Sequence, residues 1–203
     1  KMSENSEFSM VATGLEFINR GMRSVETVIG NLLGDDAEQI HMLVYSFGDT
    51  SLLEPLKKLA SEQKEIVIIA KDIETEIKTE KPKVYEILAD LNREKNVTIS
   101  DFESYWHCRE CDRRFHGSAE KENHQNESGH KLEDYPTGFL HAKAIVKNRN
   151  EMVVGSANFT KGGMQNYYEL GVHVKGIECD TMAAMIDKIA HNSNLTRIME
   201  KNA

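Results

Sequence analysis

Two short, strongly apolar runs separated by an amphipathic segment shape the first third of the sequence. Residues 40–47 read IHMLVYSF and residues 65–70 read EIVIIA, and runs of this apolar density are typical of strands buried inside a sheet. Between them, apolar side chains recur at the spacing of one face of a helix that begins near Ser51; these are Leu52, Leu53, Leu56, Leu59 and Ala60. Strands alternating with helices predict an α/β fold in which helices cover a sheet.

The alternation continues along most of the chain. Periodicity predicts helices at 22–33, 84–92 and 180–192, and strands at 97–100, 139–146, 152–154 and 170–174. A polar turn at 148–150 joins the second and third of these strands. The charge of segment 73–83 predicts a solvated loop. We expect Met182 and Met185 to contact the core and Cys179 to be a partly buried thiol. Residues 105–135 interrupt the pattern, because they contain few aliphatic side chains and many His, Cys and charged ones.

The overall charge excludes one class of protein. The 203 residues include 25 Lys plus Arg against 33 Asp plus Glu, a formal net charge of −8. This balance argues against a surface coated with phosphate-binding charge, although a local basic groove stays open. No apolar run approaches the length of a membrane span, and no secretory signal pattern begins the sequence. Because cysteine is sparse, we expect the cytoplasm or another reducing intracellular compartment.

Polar side chains gather where an apolar strand is expected. His141 and Lys143 are two residues apart, so on a strand they share a face. Ser156 and Asn158 repeat that spacing after the next strand, and Glu169 begins another. A polar face that meets solvent is the simpler interpretation. Together, however, an imidazole, an ammonium group and hydrogen-bond donors without paired carboxylates suit an anion, which favours metal-independent phosphoryl transfer.

These residues resemble a known family. The pattern His141-x-Lys143-x4-Asn148-x6-Gly155-Ser156-x-Asn158 is similar to the HxKx4Dx6GSxN motif of the phospholipase D superfamily. The similarity continues through Phe159-Thr160, Asn166 and Glu169 and back to Tyr45-Ser46-Phe47, and it covers most of the chain outside residues 105–135. The layout, with one motif, is nearest to the short single-motif nucleases and to the mitochondrial cardiolipin-hydrolase or piRNA-endonuclease branch.

The resemblance implies a fold, an assembly and a mechanism. The fold is a mixed β-sheet flanked by helices on both faces. One motif per chain implies a homodimer, in which His141 of one subunit forms a phosphohistidine and His141 of the other acts as acid and then base. Lys143 and Asn158 would bind nonbridging oxygens, Ser156 would support the site and Glu169 would orient the imidazole, with no metal needed. Asn148 stands where the family has aspartate, and we expect it to support structure.

The interrupting segment has its own motif. Cys108, Cys111, His124 and His130 follow the spacing C-x2-C-x12-H-x5-H, which suits a closed tetrahedral zinc site. Chance clustering is the weaker alternative, and His107 and His116 are spare ligand candidates. We therefore expect a structural zinc finger at 105–135, inserted into a catalytic domain formed by 7–104 and 136–203.

The finger also suggests a way to hold substrate. Residues 124–131 weakly resemble matrin-type fingers, which bind RNA or DNA. Four basic side chains are candidates for phosphate contacts, although a solvated face is about equally consistent: Arg109, Arg113, Arg114 and Lys121. The leading hypothesis is an endonuclease that cleaves DNA or RNA without a catalytic metal. The alternatives are a cardiolipin-type phospholipid phosphodiesterase and a catalytically weak nucleic-acid-binding relative, the latter motivated by Asn148.

Overall fold

A nine-stranded mixed sheet forms the centre of the protein, in a computed structural model that describes residues 6–48, 52–192 and 195–199. The sheet strands are β1 (Glu7–Thr13), β2 (Arg23–Ser24), β3 (Gln39–Val44), β4 (Glu65–Lys71), β5 (Val97–Phe102), β8 (Ala144–Lys147), β9 (Glu151–Gly155), β10 (Glu169–Lys175) and β11 (Arg197–Ile198). A separate hairpin contains β6 (Tyr105–Cys108) and β7 (Arg113–His116). The helices are α1 (Leu15–Ile18), α2 (Val25–Leu32), α3 (Leu53–Ser61), α4 (Lys78–Glu80), α5 (Pro82–Asn92), α6 (Ser118–Ser128) and α7 (Glu178–Ala190).

The strand order brings many strand ends to one edge of the sheet. The order is β11-β5-β4-β3-β8-β9-β10-β1-β2. β3, β4 and β5 are parallel to one another, while β8, β9, β10 and β1 alternate in direction. The carboxyl ends of β3, β4, β5 and β9 therefore meet the amino ends of β8 and β10. We call this the upper edge; in α/β sheets the crevice beyond the carboxyl ends of parallel strands is where ligands bind.

Helices cover both faces of the sheet, as the sequence predicts. On β4, Ile66 and Ile68 point into a core shared with α2, α3 and α5. Val67 and Ile69, which alternate with them, pack in a second cluster with the buried side of α7. The two-residue period of a strand thus divides one apolar run between two cores. Among the described helices, none combines the length and the hydropathy that crossing a bilayer requires.

Residues 105–128 fold as a hairpin followed by a helix. In the hairpin Trp106 is paired with Phe115, and α6 then ends at Gly129, which adopts a left-handed conformation (φ 73°) suited to glycine. The segment joins the rest of the protein through a reciprocal backbone pair. Tyr105 N donates to Gly138 O at 2.9 Å, and Gly138 N donates to Tyr105 O at 3.1 Å. The insertion therefore leaves and rejoins the chain at nearly the same point.

Several boundaries differ from the sequence expectation. The strand expected at 139–146 is paired only from Ala144, because its ladder with β3 ends at Leu43. Segment 73–83 is not a solvated loop: a π-helical turn (Ile73–Ile77) and α4 occupy it, since Ile73 and Ile77 are buried in the core. β1 and β11 were not expected. Met185 is 43% exposed and thus no core contact, whereas Cys179 is fully buried. Ser51, the expected start of α3, lies outside the described residues.

Candidate active site

His141 lies at the upper edge of the sheet, in the unpaired segment that leads into β8. Its exposed imidazole is flanked by two aromatic rings. The Tyr45 ring centroid, just beyond the end of β3, is 4.6 Å away, and that of Phe139 is 5.8 Å away, both approaching edge-on. These contacts confine the imidazole while one side of it faces solvent. Sequence reasoning did not include Phe139, and Tyr45 entered only through the family resemblance.

Lys143 is a buried cation that contacts the imidazole. Its Nζ lies 3.1 Å from each ring nitrogen of His141 and donates to the His141 carbonyl oxygen at 2.8 Å. It also lies 4.6 Å from the centroid of the Tyr45 ring. The residue is only 6% exposed, and burial lowers the pKa of the ammonium group although the negative charge of Glu169 opposes this. Within the described residues, no carboxylate forms an ion pair with it.

Ser156 and Glu169 form a second pair of candidate site residues. Ser156 follows β9, and its hydroxyl donates to the carboxylate of Glu169. The Ser156 hydroxyl also accepts from the Leu170 amide at 3.2 Å, which fixes it to the start of β10. The family resemblance implies that Glu169 orients His141. In the described part of the chain, the Glu169 carboxylate has no hydrogen bond to that ring and contacts Ser156 instead.

Asn158 is held between tightly packed backbones. A Cβ on Gly163 would lie 2.5 Å from Asn158 O and 2.8 Å from Asn158 N, so only glycine permits this approach. Gly155, at the end of β9, permits a similarly close approach to β10, because a Cβ there would lie 2.6 Å from Leu170 O. The Asn158 Oδ1 atom is buried with no hydrogen-bond donor in the described structure. Such an orphaned acceptor costs about 1–3 kcal/mol, which marks a side chain that does not serve stability.

Asn148 lies at the opposite end of β8 from His141. Its Oδ1 accepts from the Glu38 amide at 2.7 Å and from the Gln39 amide at 3.0 Å, and its Nδ2 donates to Asp36 O at 3.0 Å. The backbone is left-handed (φ 50°), a conformation that asparagine tolerates better than most residues. These contacts join the β8–β9 turn to the start of β3.

The four Cys and His residues of the insertion converge. Their nearest ligand atoms all lie within 4.8 Å of one another, with Cys108 Sγ 3.4 Å from His130 Nδ1 and Cys111 Sγ 3.6 Å from His124 Nε2. Zinc bonded tetrahedrally to sulfur and nitrogen separates its ligand atoms by about 3.3–3.8 Å. The donors therefore fit a metal ion of this kind. Phe115, stacked at 4.4 Å on His124, closes one side.

The Cys108 thiol is suited to bind a metal. Burial alone would raise the pKa of Cys108, but hydrogen bonds from His124 and from the Cys111 and Glu110 backbone outweigh it and lower the pKa to about 6. Burial and the neighbouring Cys108 raise the pKa of Cys111. The deprotonated thiol is the form that ligates metal. The spare candidates lie outside the cluster: His107 contacts Asp112 at 2.8 Å and His116 contacts Glu103 at 3.5 Å.

Three of the four basic residues singled out for phosphate contact lie over aromatic rings. Arg113 is 5.1 Å from the centroid of Phe115, Arg114 is 4.7 Å from that of Tyr105, and Lys121 is 5.4 Å from that of Trp106. Arg109 is exposed in the turn that follows β6. The nucleic-acid role of these residues stays a prediction.

Solved structures of other proteins share this architecture. The chain resembles NucT from Helicobacter pylori (TM-score 0.58, 18% identity, covering 90% of this chain and 95% of that one). It also resembles the phospholipase D family member Nuc from Salmonella typhimurium (TM-score 0.60, 12% identity, covering 97% and 99%). A third similar structure is phosphatidylserine synthase from Haemophilus influenzae Rd KW20 (TM-score 0.57, 11% identity), of which the chain spans 42%. No curated protein sequence matches the chain.

A family profile matches the sequence itself. The family described as "Cardiolipin synthase, PLD-like domain" matches residues 31–191, a range that contains His141, Lys143, Ser156, Asn158 and Glu169 as well as the insertion. This range is well over half of the chain, and the solved structures share its fold. The chain therefore belongs to the phospholipase D-like family of phosphodiesterases.

Proposed function

We propose that the protein is a metal-independent endonuclease that cleaves a phosphodiester of nucleic acid at His141. The observation that carries the proposal is the burial of the Lys143 ammonium group beside the His141 ring. A buried ammonium group without a partner carboxylate is unfavourable unless an anion completes the site, and this one lies 3.1 Å from an exposed imidazole. A phosphodiester supplies that anion and a phosphorus atom for the imidazole to attack.

The chemistry proceeds in two displacements. One nitrogen of His141 attacks phosphorus, the bond to the leaving oxygen breaks, and His141 of the partner subunit gives that oxygen a proton. The same partner histidine then removes a proton from water, whose oxygen attacks phosphorus and breaks the P–N bond. Lys143 and Asn158 bind the nonbridging oxygens, and Ser156, held by Glu169, supports them. No step needs a metal ion.

The second imidazole has to come from another copy of the chain. The sequence carries the full HxK…GSxN pattern once, and two roles require two histidines. Leu170, next to Glu169 on β10, is 44% exposed, and on the neighbouring strand β1 Met10 and Phe8, opposite Val172 and Val174, are 50% and 64% exposed. We call these three residues the β1–β10 patch; its Leu170 end lies beside Glu169. Apolar patches of this kind mark contact surfaces, and this one adjoins the site. We infer a homodimer in which it lies at or near the interface.

The insertion acts as a structural zinc finger beside this site. Cys108, Cys111, His124 and His130 hold the ion, which fixes a segment too small to stabilise itself by apolar burial. Cys108→Ser should release zinc, measured by metal analysis of the purified protein, and weaken oligonucleotide binding more than it slows the chemical step. Cys179→Ser, a cysteine outside the cluster, is the control and should retain full zinc. Full zinc content in Cys108→Ser would contradict the ligand assignment.

A lipid phosphodiester is the second candidate substrate. One observation favours it, since Tyr135 and Phe139 expose 82% and 45% of their surface near His141, and exposed rings can enter a lipid interface. Nucleic acid is favoured because the chain spans nearly the full length of Nuc and NucT, as expected of the short single-motif nucleases that the sequence resembles.

The test is a panel of labelled substrates with the wild type and His141→Ala. Single- and double-stranded DNA and RNA and cardiolipin vesicles are incubated with a chelator in excess. We expect cutting of a nucleic acid by the wild type, none by His141→Ala, and an acid-labile phosphate adduct on the wild type. His191→Ala, which alters an exposed histidine after α7, should cut normally.

Each other outcome has a definite meaning. Hydrolysis of cardiolipin with intact nucleic acid would replace the nuclease by the lipid enzyme. Oligonucleotide binding without turnover, the same in both proteins, would leave a binding relative. Cutting that survives in His141→Ala would end the proposal, because the nucleophile would then be a different group.

A further inference from the structure

A groove of about 550 Å³ separates the insertion from the main sheet. Its lining comes from the ends of β3 and β4, from the π-helical turn and α4, and from the insertion with the chain that follows it. It is continuous with the active site, because Tyr45 and Phe139 line it and also flank the His141 ring at 4.6 and 5.8 Å. Its size is that of ordinary small-ligand sites.

Aromatic side chains dominate the apolar part of this groove. Trp106 comes from the insertion, Tyr135 and Phe139 from the chain that follows it, and Tyr45 from the end of β3. Tyr135 is 82% exposed, so its ring covers no core. Phe139 is also exposed, whereas Trp106 and Tyr45 are half-buried. Flat rings around a cleft are suited to stack on another flat group.

The charged lining is acidic, which excludes a track for phosphates. Asp72, Glu76 and Glu80 line the groove with a single cation, Lys71. That cation is already paired, at 2.8 Å with Asp72 and also with Glu76. Asp72 further accepts from the amide and hydroxyl of Ser104 at 2.7 and 2.8 Å. In the described residues the carboxylate of Glu80 has no hydrogen bond or ion pair, so it is free to accept one.

We propose that the groove is a subsite for one unpaired nucleobase that carries an exocyclic amino group, next to the phosphate cleaved at His141. The proposal rests on the proposed nuclease function and names its substrate as single-stranded nucleic acid. The base stacks on the rings of Trp106 and Tyr135, and its amino group donates to Glu80. Adenine, cytosine and guanine have such an amino group, whereas thymine and uracil do not. A paired base cannot enter, since its faces and its Watson–Crick edge are occupied.

Trp106 is the only tryptophan in the sequence, so its fluorescence reports the groove directly. The zinc-loaded full chain with His141→Ala, which prevents turnover, is titrated with oligocytidylate, with oligothymidylate and with a blunt duplex of equal length. We expect cytidylate to quench the emission at about tenfold lower concentration than thymidylate, and the duplex to leave it unchanged. Quenching by the duplex, or equal quenching by both single strands, would overturn the subsite.

Two groove variants test the residues. Tyr135→Ala should weaken quenching by cytidylate about tenfold, while Tyr135→Phe, which keeps the ring, should bind as the parent does. Glu80→Gln should reduce the preference for cytidylate, because an amide also donates to a base carbonyl. Unchanged affinity in Tyr135→Ala, or an unchanged base preference in Glu80→Gln, would contradict the assignment of that residue.

Failure here and failure of the nuclease proposal are distinguishable. The titration measures binding and needs no turnover. A wild type that cuts nucleic acid while Trp106 emission stays constant overturns the subsite alone. Base-selective quenching by a protein whose wild type cuts nothing overturns the nuclease and retains the subsite.

Discussion

Asn148 departs from the family pattern at a position whose contacts are structural. Its amide accepts from two backbone N–H groups and also donates to Asp36 O, a third contact that the family's aspartate cannot make. The left-handed turn at φ 50° further favours asparagine. The substitution thus has a local structural reason at the edge remote from His141.

We predict that Asn148→Asp lowers the free energy of unfolding by about 1 kcal/mol, because the donor to Asp36 O is lost. The cleavage rate should stay at the wild-type value. Urea unfolding and a rate measurement check both. Asn150→Asp, in the same turn but exposed, should change neither. A large rise in activity on Asn148→Asp would show that the missing charge limits the chemistry.

The burial of Lys143 predicts that the cleavage rate depends on pH. Burial lowers the pKa of its ammonium group from the ordinary 10.5, and only the charged form attracts phosphate. Cleavage should therefore decline with rising pH before a free lysine would deprotonate. Lys143→Arg keeps its charge at every working pH, so its profile should lose this alkaline decline. Its rate at neutral pH should be about 100-fold lower, because the guanidinium group is larger and misplaced.

A matched control is available for this experiment. Lys147 is equally buried but lies at the far end of β8, the strand that Lys143 precedes, and pairs with Asp36 there. Lys147→Arg should keep the wild-type pH profile. An alkaline decline that persists in Lys143→Arg would assign the titration to another group.

The secondary-structure elements were predictable where local pattern decides them. The buried runs at β3 and β4 and the amphipathic α3 follow from sequence alone. The true start of β8 does not, because it depends on where the ladder with β3 ends. The sequence of the turn Ile73–Ile77 predicts a charged, exposed segment, yet its two isoleucines are buried in the core. Whether a charged segment packs against the core depends on residues far away in the sequence, and the local periodicity contains no information about them.

Asp101 stabilises that turn from β5. Its carboxylate accepts from the amides of Ile73 at 2.7 Å and Glu74 at 3.0 Å. Burial nevertheless raises its pKa from 3.8 to about 6, since desolvation of the charged form outweighs these contacts. A raised pKa in the folded state stabilises the fold at low pH, and the benefit is lost as pH rises through that value.

We predict that, between about pH 4 and about pH 7, the wild type loses unfolding free energy relative to Asp101→Asn. The loss should be on the order of 3 kcal/mol. Asparagine cannot ionise, so the variant lacks this dependence. Urea unfolding across the range measures it. Asp134→Asn, an exposed carboxyl, is the control and should show no such shift. A difference independent of pH would mean that Asp101 is charged throughout.

In the homodimer that we propose, the complete site is a property of the assembly. We predict that Leu170→Lys, in the β1–β10 patch, weakens the dimer, because it places a charge on a surface that we expect to be covered. Sedimentation should show monomer, and activity per chain should fall and recover with protein concentration. Ile177→Lys, also at an exposed apolar residue but beyond the far end of β10, should remain dimeric. A monomeric Leu170→Lys with full activity would contradict the shared site.

Part of the candidate site could be predicted from the sequence. Spacing alone identified the Cys and His residues that converge and indicated the His141 and Lys143 pair. It did not reveal the Phe139 contact, nor the groove built from β3, α4 and the insertion. One clue was available, since Lys71 follows a buried strand just as Tyr45 does, and parallel strands end together. The other contacts join residues far apart in the chain, whose proximity no local pattern encodes.

The reciprocal hydrogen bonds between Tyr105 and Gly138 have an evolutionary consequence. An insertion whose two ends lie within one backbone pair leaves the strand order of its host unaltered. We infer that a segment attached in this way can be gained, lost or exchanged in a single genetic event without altering the chemistry that we propose at His141. Substrate choice and bond cleavage would then diversify independently, each under its own selection.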